Sequence, residues 1–129
     1  QLASGALTVE VDRIQVEQVV LNLVRNGFEA MRTTAPDQRE LSIRTGRNLG
    51  DGIEVAIGDT GTGIPPGIAG RVFDPFFSTK RDGLGLGLSI SRSIIEAHGG
   101  RLWVIANPLR GATFRFTLPE AGDVGAHVT

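Results

Sequence analysis

Two glycine-rich stretches set the tightest limits on how this chain can fold. The first reads Asp59-Thr60-Gly61-Thr62-Gly63-Ile64-Pro65-Pro66, and the second Gly83-Leu84-Gly85-Leu86-Gly87-Leu88. An apolar, strand-like run leads into the first, and an apolar helical run follows the second. Between them lies Phe73-Asp74-Pro75-Phe76-Phe77-Ser78-Thr79-Lys80. Glycine lets a backbone adopt positive φ and approach a ligand closely. Two such loops around a phenylalanine-rich segment point to a site for a phosphate-bearing molecule under a lid.

The rest of the composition narrows the class. A chain of 129 residues makes one domain with a real core. Its formal net charge of −1 argues against a broad field for nucleic acid or anionic membrane. The chain has no cysteine, which excludes disulfides and thiolate metal sites and is compatible with the cytosol. No apolar run nears the ~20 residues that span a bilayer. The first residue is Gln and no signal peptide is visible, so the chain reads as a segment of something longer.

Leu7, Val9 and Val11 alternate with polar residues as in a short strand, and Asp12 is placed to cap a helix. From Arg13 to about Met31 the residues Ile14, Val19, Val20, Leu23, Val24, Phe28 and Met31 recur at helical spacing, predicting a long amphipathic helix. Residues 33–39 read as a loop, and 41–45 and 53–57 as a hairpin turning at Gly50-Asp51-Gly52. Residues 65–72 leave room for a short helix. A second helix runs from Leu86 to His98 and stops at Gly99-Gly100. Strands at 101–106 and 112–118 follow, with a turn at 107–111 and a polar tail at 120–129. The expected architecture is an α+β two-layer sandwich: a mixed, mostly antiparallel sheet of about five strands with helices on one face.

Asn22, Asn26 and Glu29 fall at i, i+4 and i+7, on one face of the first helix. They read either as an ordinary polar stripe or as a source of carbonyl oxygen for Mg²⁺, which takes few protein ligands when phosphates supply the charge. Asp59 reads either as a turn residue or as a carboxylate accepting from an exocyclic amine, with Gly61 and Gly63 leaving room for a ring. The second loop opens a helix, whose free N–H groups and dipole favour anions; glycines alone could equally serve as a hinge. Its G-x-G-x-G spacing is neither a dinucleotide fingerprint nor a P-loop. Lys80 and Arg81 stand beside this loop as cations for phosphate or for solvent. His98 fits a structural role at a helix end, His127 lies in the tail, and no catalytic triad or zinc cluster can be drawn.

In order, these residues resemble the catalytic ATP-binding domain of sensor histidine kinases, within the gyrase, Hsp90 and MutL-like superfamily. Asn22-Leu23-Val24-Arg25-Asn26 is similar to the N box, Asp59 to Gly63 to the G1 box, and Phe73 to Phe77 to the F box. Gly83 to Leu88 is similar to the G2 box, and Gly111-Ala112-Thr113-Phe114 to the last glycine box. The Pro-Phe-Phe-Ser-Thr-Lys and Gly-Leu-Gly-Leu-Gly versions look closest to kinases of the nitrogen-regulatory and oxygen-sensing type. The likeness covers residues 7–119 or so, and implies a Bergerat-type fold over residues 1–119.

The resemblance implies roles. Asn26, helped by Asn22, holds Mg²⁺. Asp59 reads adenine N6, with Gly61, Gly63 and Thr113 near the ring. Gly83, Gly85, Leu86, Gly87 and Leu88 offer their backbone to the ATP phosphates. Lys80 approaches from a lid spanning about 66–82. Two departures stand out: Glu29 sits where many relatives carry a basic residue, and Asn22 sits where water-attacking ATPases carry a glutamate base. The second disfavours a hydrolytic ATPase of the MutL or Hsp90 type and favours transfer to an external acceptor.

That acceptor is then a histidine on a separate upstream dimerisation domain, and a response regulator receiver domain is the downstream partner. The fragment alone is expected to be monomeric, cytoplasmic and without a phosphoacceptor histidine of its own. A serine kinase of the anti-sigma-factor type and a degenerate partner-binding module are the alternatives on the same fold.

Overall fold

The computed structural model describes residues 12–48, 52–64, 67–68, 70–74 and 87–119. Helix α1 spans Arg13–Ala30, followed by a 3-10 turn at Pro36–Gln38 and the strands β1 (Leu41–Asn48) and β2 (Gly52–Asp59). Helix α2 (Gly87–Ala97), β3 (Leu102–Ala106) and β4 (Ala112–Leu118) complete the order. The described strands form one antiparallel sheet in the order β1-β2-β4-β3. Four strands are described, and the fifth expected strand, at 7–11, lies outside the described residues.

The local reasons match the sequence. Asp12 caps α1, its Oδ1 accepting from the Gln15 N–H at 3.1 Å. The expected short helix at 65–72 is not found among its described residues. Gly67 has φ +92°, outside the helical region, and the chain instead makes turns in which Arg71 N–H donates to Ile68 O and Asp74 N–H to Arg71 O.

Alternation along the strands separates two faces. Ile57, Phe114, Phe116 and Leu118 enter one core with Val19 and Leu23 of α1 and Ile95 of α2. The opposite face carries Ser42, Arg44, Glu54, Ala56, Gly58, Thr113 and Arg115, which line an open groove of about 350 Å³. Glu54 and Arg115 pair there at 2.6 Å.

The two helices lie antiparallel on the core side. Near one end of the pair, the Asp12 N–H donates to His98 Nε2 at 3.1 Å, while His98 Nδ1 lies 2.8 Å from the Ile94 carbonyl. Ten residues further along α1, Asn22 Nδ2 donates to Ser91 Oγ at 3.3 Å. His98 thus acts as a latch at the end of α2, the structural role expected for it. Phe73 is buried and meets Phe114 edge-on at a centroid distance of 6.1 Å, with the Arg92 guanidinium 5.1 Å above its ring. Of the three phenylalanines in this segment, Phe73 is therefore fixed on the core; Phe76 and Phe77 lie outside the described residues.

Candidate functional site

Asp59 ends β2 on the core-facing side, and the residue is only 4% exposed. Two backbone N–H groups, those of Gly61 (2.8 Å to Oδ1) and Ala112, donate to its carboxylate. Burial pushes its pKa above the ordinary 3.8, and the two N–H bonds oppose that rise. Helix α1 leaves space beside it: a methyl group at Gly27 would lie 3.6 Å from Asp59 Cβ, 3.8 Å from Oδ2 and 2.6 Å from Leu41 Cδ1. A mid-helix glycine costs about 1 kcal/mol relative to alanine. Side-chain periodicity does not point to Gly27; its signal in the sequence is that an unfavourable residue stands inside a long helix.

The raised pKa has a consequence for stability. Folded chains keep the Asp59 proton to higher pH than unfolded chains do. The contribution of Asp59 to stability is therefore greatest in acid and declines as pH rises past 3.8. Asp59→Asn removes this titration and retains an acceptor for the Gly61 N–H. Thermal melts from about pH 4 to neutrality should show the variant gaining on the parent as pH rises. A constant difference across that range contradicts the shift.

The loop after Asp59 is pinned on both sides. Thr60 Oγ1 donates to Gln38 O at 2.8 Å and accepts from the Glu40 N–H at 2.9 Å, while Thr62 N–H donates to Ala30 O at 3.1 Å. Gly61 fits under the end of α1 because it has no side chain; a methyl there would lie 2.2 Å from Ala30 O. Gly63 has φ +78° and packs against Gly111.

The asparagine row faces α2. Since α1 and α2 run antiparallel and Asn22 meets Ser91, Asn26 stands one turn further on, level with Gly87 at the start of α2. The Asn22 bond uses its amide nitrogen, not the carbonyl oxygen a cation needs. Asn22, Asn26 and Glu29 are all half-buried, so the row is not a plain solvent stripe. Gly87 and Leu88 open α2. Lys80, Arg81, Gly83, Gly85 and Leu86 lie outside the described residues.

Thr113 lies on the other side of the sheet from the Asp59 carboxylate. It pairs with Gly58 and shares the outer face of the sheet, whereas the Asp59 carboxylate lies on the inner face. The period of two in a strand puts Ala112, not Thr113, beside that carboxylate. Thr113 Oγ1 instead donates to Asn107 Oδ1 at 2.7 Å, and Asn107 Nδ2 donates to the Asp59 backbone carbonyl at 3.0 Å. Nothing in the local sequence singled out Asn107.

A buried carboxylate at a strand end and a glycine loop docked on α1 thus adjoin the helix whose asparagine row faces α2. Residues 11–122 match the family model described as histidine kinase-, DNA gyrase B-, and HSP90-like ATPase. The chain belongs to this family. Within it, the domain is of the sensor histidine kinase type. The sensor protein FixL of Bradyrhizobium diazoefficiens is 50% identical over 122 residues, covering 95% of this chain and 24% of FixL. Full-length ShkA in complex with AMPPNP superposes with a TM-score of 0.78 at 28% identity, covering 93% of this chain and 24% of that one. Histidine kinase ThkA in complex with the response regulator protein TrrA gives a TM-score of 0.73 at 34% identity, covering 94% and 33%. The histidine kinase domain thus spans about a quarter of the length of its relative FixL.

Proposed function

We propose that this domain binds Mg·ATP and presents the γ-phosphoryl group to a histidine on a separate helical dimerisation domain, in two-component signalling with a response regulator. The observation that carries the reading is the enclosed Asp59 carboxylate, held by two N–H groups beside Gly27 of α1, the helix that also carries Asn22 and Asn26. Asp59 accepts from the adenine amine, with Gly61 and Gly63 shaping the loop around it. Asn26 and Asn22 offer amide oxygens, hard donors suited to Mg²⁺, which keeps water and phosphate as its other ligands. The metal supplies charge neutralisation. Phosphoryl transfer otherwise needs alignment and electrostatics, which the backbone of Gly83, Gly85, Leu86, Gly87 and Leu88 and the Lys80 ammonium provide. Asn22 cannot serve as a base toward water, which directs transfer to the external histidine.

Titration with a fluorescent ATP analogue, with and without Mg²⁺, tests this. Asp59→Ala is expected to weaken binding about ten-fold or more, the loss of a charge-assisted hydrogen bond. Asn26→Ala is expected to abolish the gain in affinity that Mg²⁺ confers. Unchanged affinity in the first variant overturns the adenine placement, and an intact Mg²⁺ gain in the second overturns the metal placement.

A further inference from the structure

The geometry points to Asn107 as a positioning residue for adenine recognition, acting through the Asp59 backbone. The inference rests on the reading of Asp59 as the adenine-binding carboxylate. Asp59 is held from three directions. Its carboxylate accepts from Gly61 and Ala112, Gly111 packs beneath its carbonyl, and that carbonyl accepts from Asn107 Nδ2 at 3.0 Å. Asn107 sits 48 residues away in sequence, just after the edge strand β3.

The Asn107 amide is itself oriented. Its Oδ1 accepts from Thr113 Oγ1 at 2.7 Å, which turns Nδ2 toward Asp59. Its backbone N–H donates to Gly111 O at 3.0 Å, closing the β3–β4 turn. The hydroxyl lies over Gly58, where a methyl would come within 3.1 Å of both Thr113 Oγ1 and Ser42 Oγ. The chain Thr113–Asn107–Asp59 therefore crosses from the outer face of the sheet to the peptide that carries the inner-face carboxylate. A carboxylate reads an amine only when its oxygen is aimed at the donor hydrogen, since hydrogen bonds weaken steeply with misalignment. Freeing the Asp59 carbonyl loosens that aim while leaving the carboxylate in place.

The distinguishing readout is discrimination between ATP and ITP, which carries a carbonyl where adenine has its amine. We expect the parent domain to prefer ATP. Asn107→Ala should weaken ATP binding about five-fold, the worth of one net hydrogen bond, and leave ITP binding unchanged. Thr113→Val should do the same in part, and Thr113→Ser should restore parent behaviour. Equal losses for ATP and ITP in Asn107→Ala, or no loss for either, overturn the positioning role. Failure of the underlying reading looks different: the parent then binds ATP and ITP alike, or Asp59→Ala leaves ATP affinity unchanged.

Discussion

Gly111→Ala is expected to cost about 3 kcal/mol or more of folding stability. Gly111 has φ +87°, which for a side-chain-bearing residue costs about 1–2 kcal/mol. The added methyl would also lie 1.9 Å from Asp59 O and 2.7 Å from Asp59 C. Those are backbone atoms at the end of a central strand, so no side-chain rotation relieves the overlap. For a domain of this size the melting temperature should fall on the order of 10 °C. Because the strain falls on Asp59, the molecules that remain folded should also bind ATP less well. A change below about 1 kcal/mol would mean that the turn and β2 yield without cost.

Phe116→Ala is expected to cost about 3–5 kcal/mol, against roughly 0.5 kcal/mol or less for Phe28→Ala. Phe116 is 0% exposed, pairs with Val55 and Leu102 across both neighbouring strands, and sits at the centre of the core. Removing its ring leaves a cavity that strands and helices on all sides prevent from closing. Phe28 is 57% exposed on α1, so its ring is largely in water in both states. Chemical denaturation of the two variants gives the comparison. Similar losses would place Phe28 in the core and contradict the orientation of α1.

That contrast marks the limit of periodicity. Ile14 and Phe28 both belong to the apolar set that predicted α1, yet they face outward, with Ile14 at 73% exposure. Helical spacing defines an apolar stripe but not its edges, which depend on where the sheet and α2 make contact. Val19, Leu23 and Gly27 are the buried row instead. The four described strands, the N-cap at Asp12 and the stop at Gly99-Gly100 were readable because turn residues and capping side chains act within a few positions. Among the described residues of 65–72 no helix forms, because Gly67 adopts positive φ, a choice glycine permits but does not announce.

The candidate site divides the same way. Asp59, Gly61, Gly63, Asn22 and Asn26 carry their signal in residue type and spacing, so they were visible along the chain. Thr113 follows Ala112 by one position, and one position along a strand reverses the side-chain direction, so only the sheet register put it on the face away from the Asp59 carboxylate. Gly27, Thr60, Ser91 and Asn107 act through partners 20 to 70 residues away, which no local pattern encodes.

By itself, the sequence determined the order of the described helices and strands, the glycine loop after Asp59 and the family. Each of these follows from local chemistry: backbone freedom at glycine, capping at Asp12 and side-chain periodicity. Only the tertiary structure decided which face of each element is covered, that the Asp59 carboxylate is enclosed, and that Asn107 holds its backbone. Those are contacts between segments distant in the chain, set by how helices and sheet pack, and packing is a property of the whole fold rather than of any stretch within it.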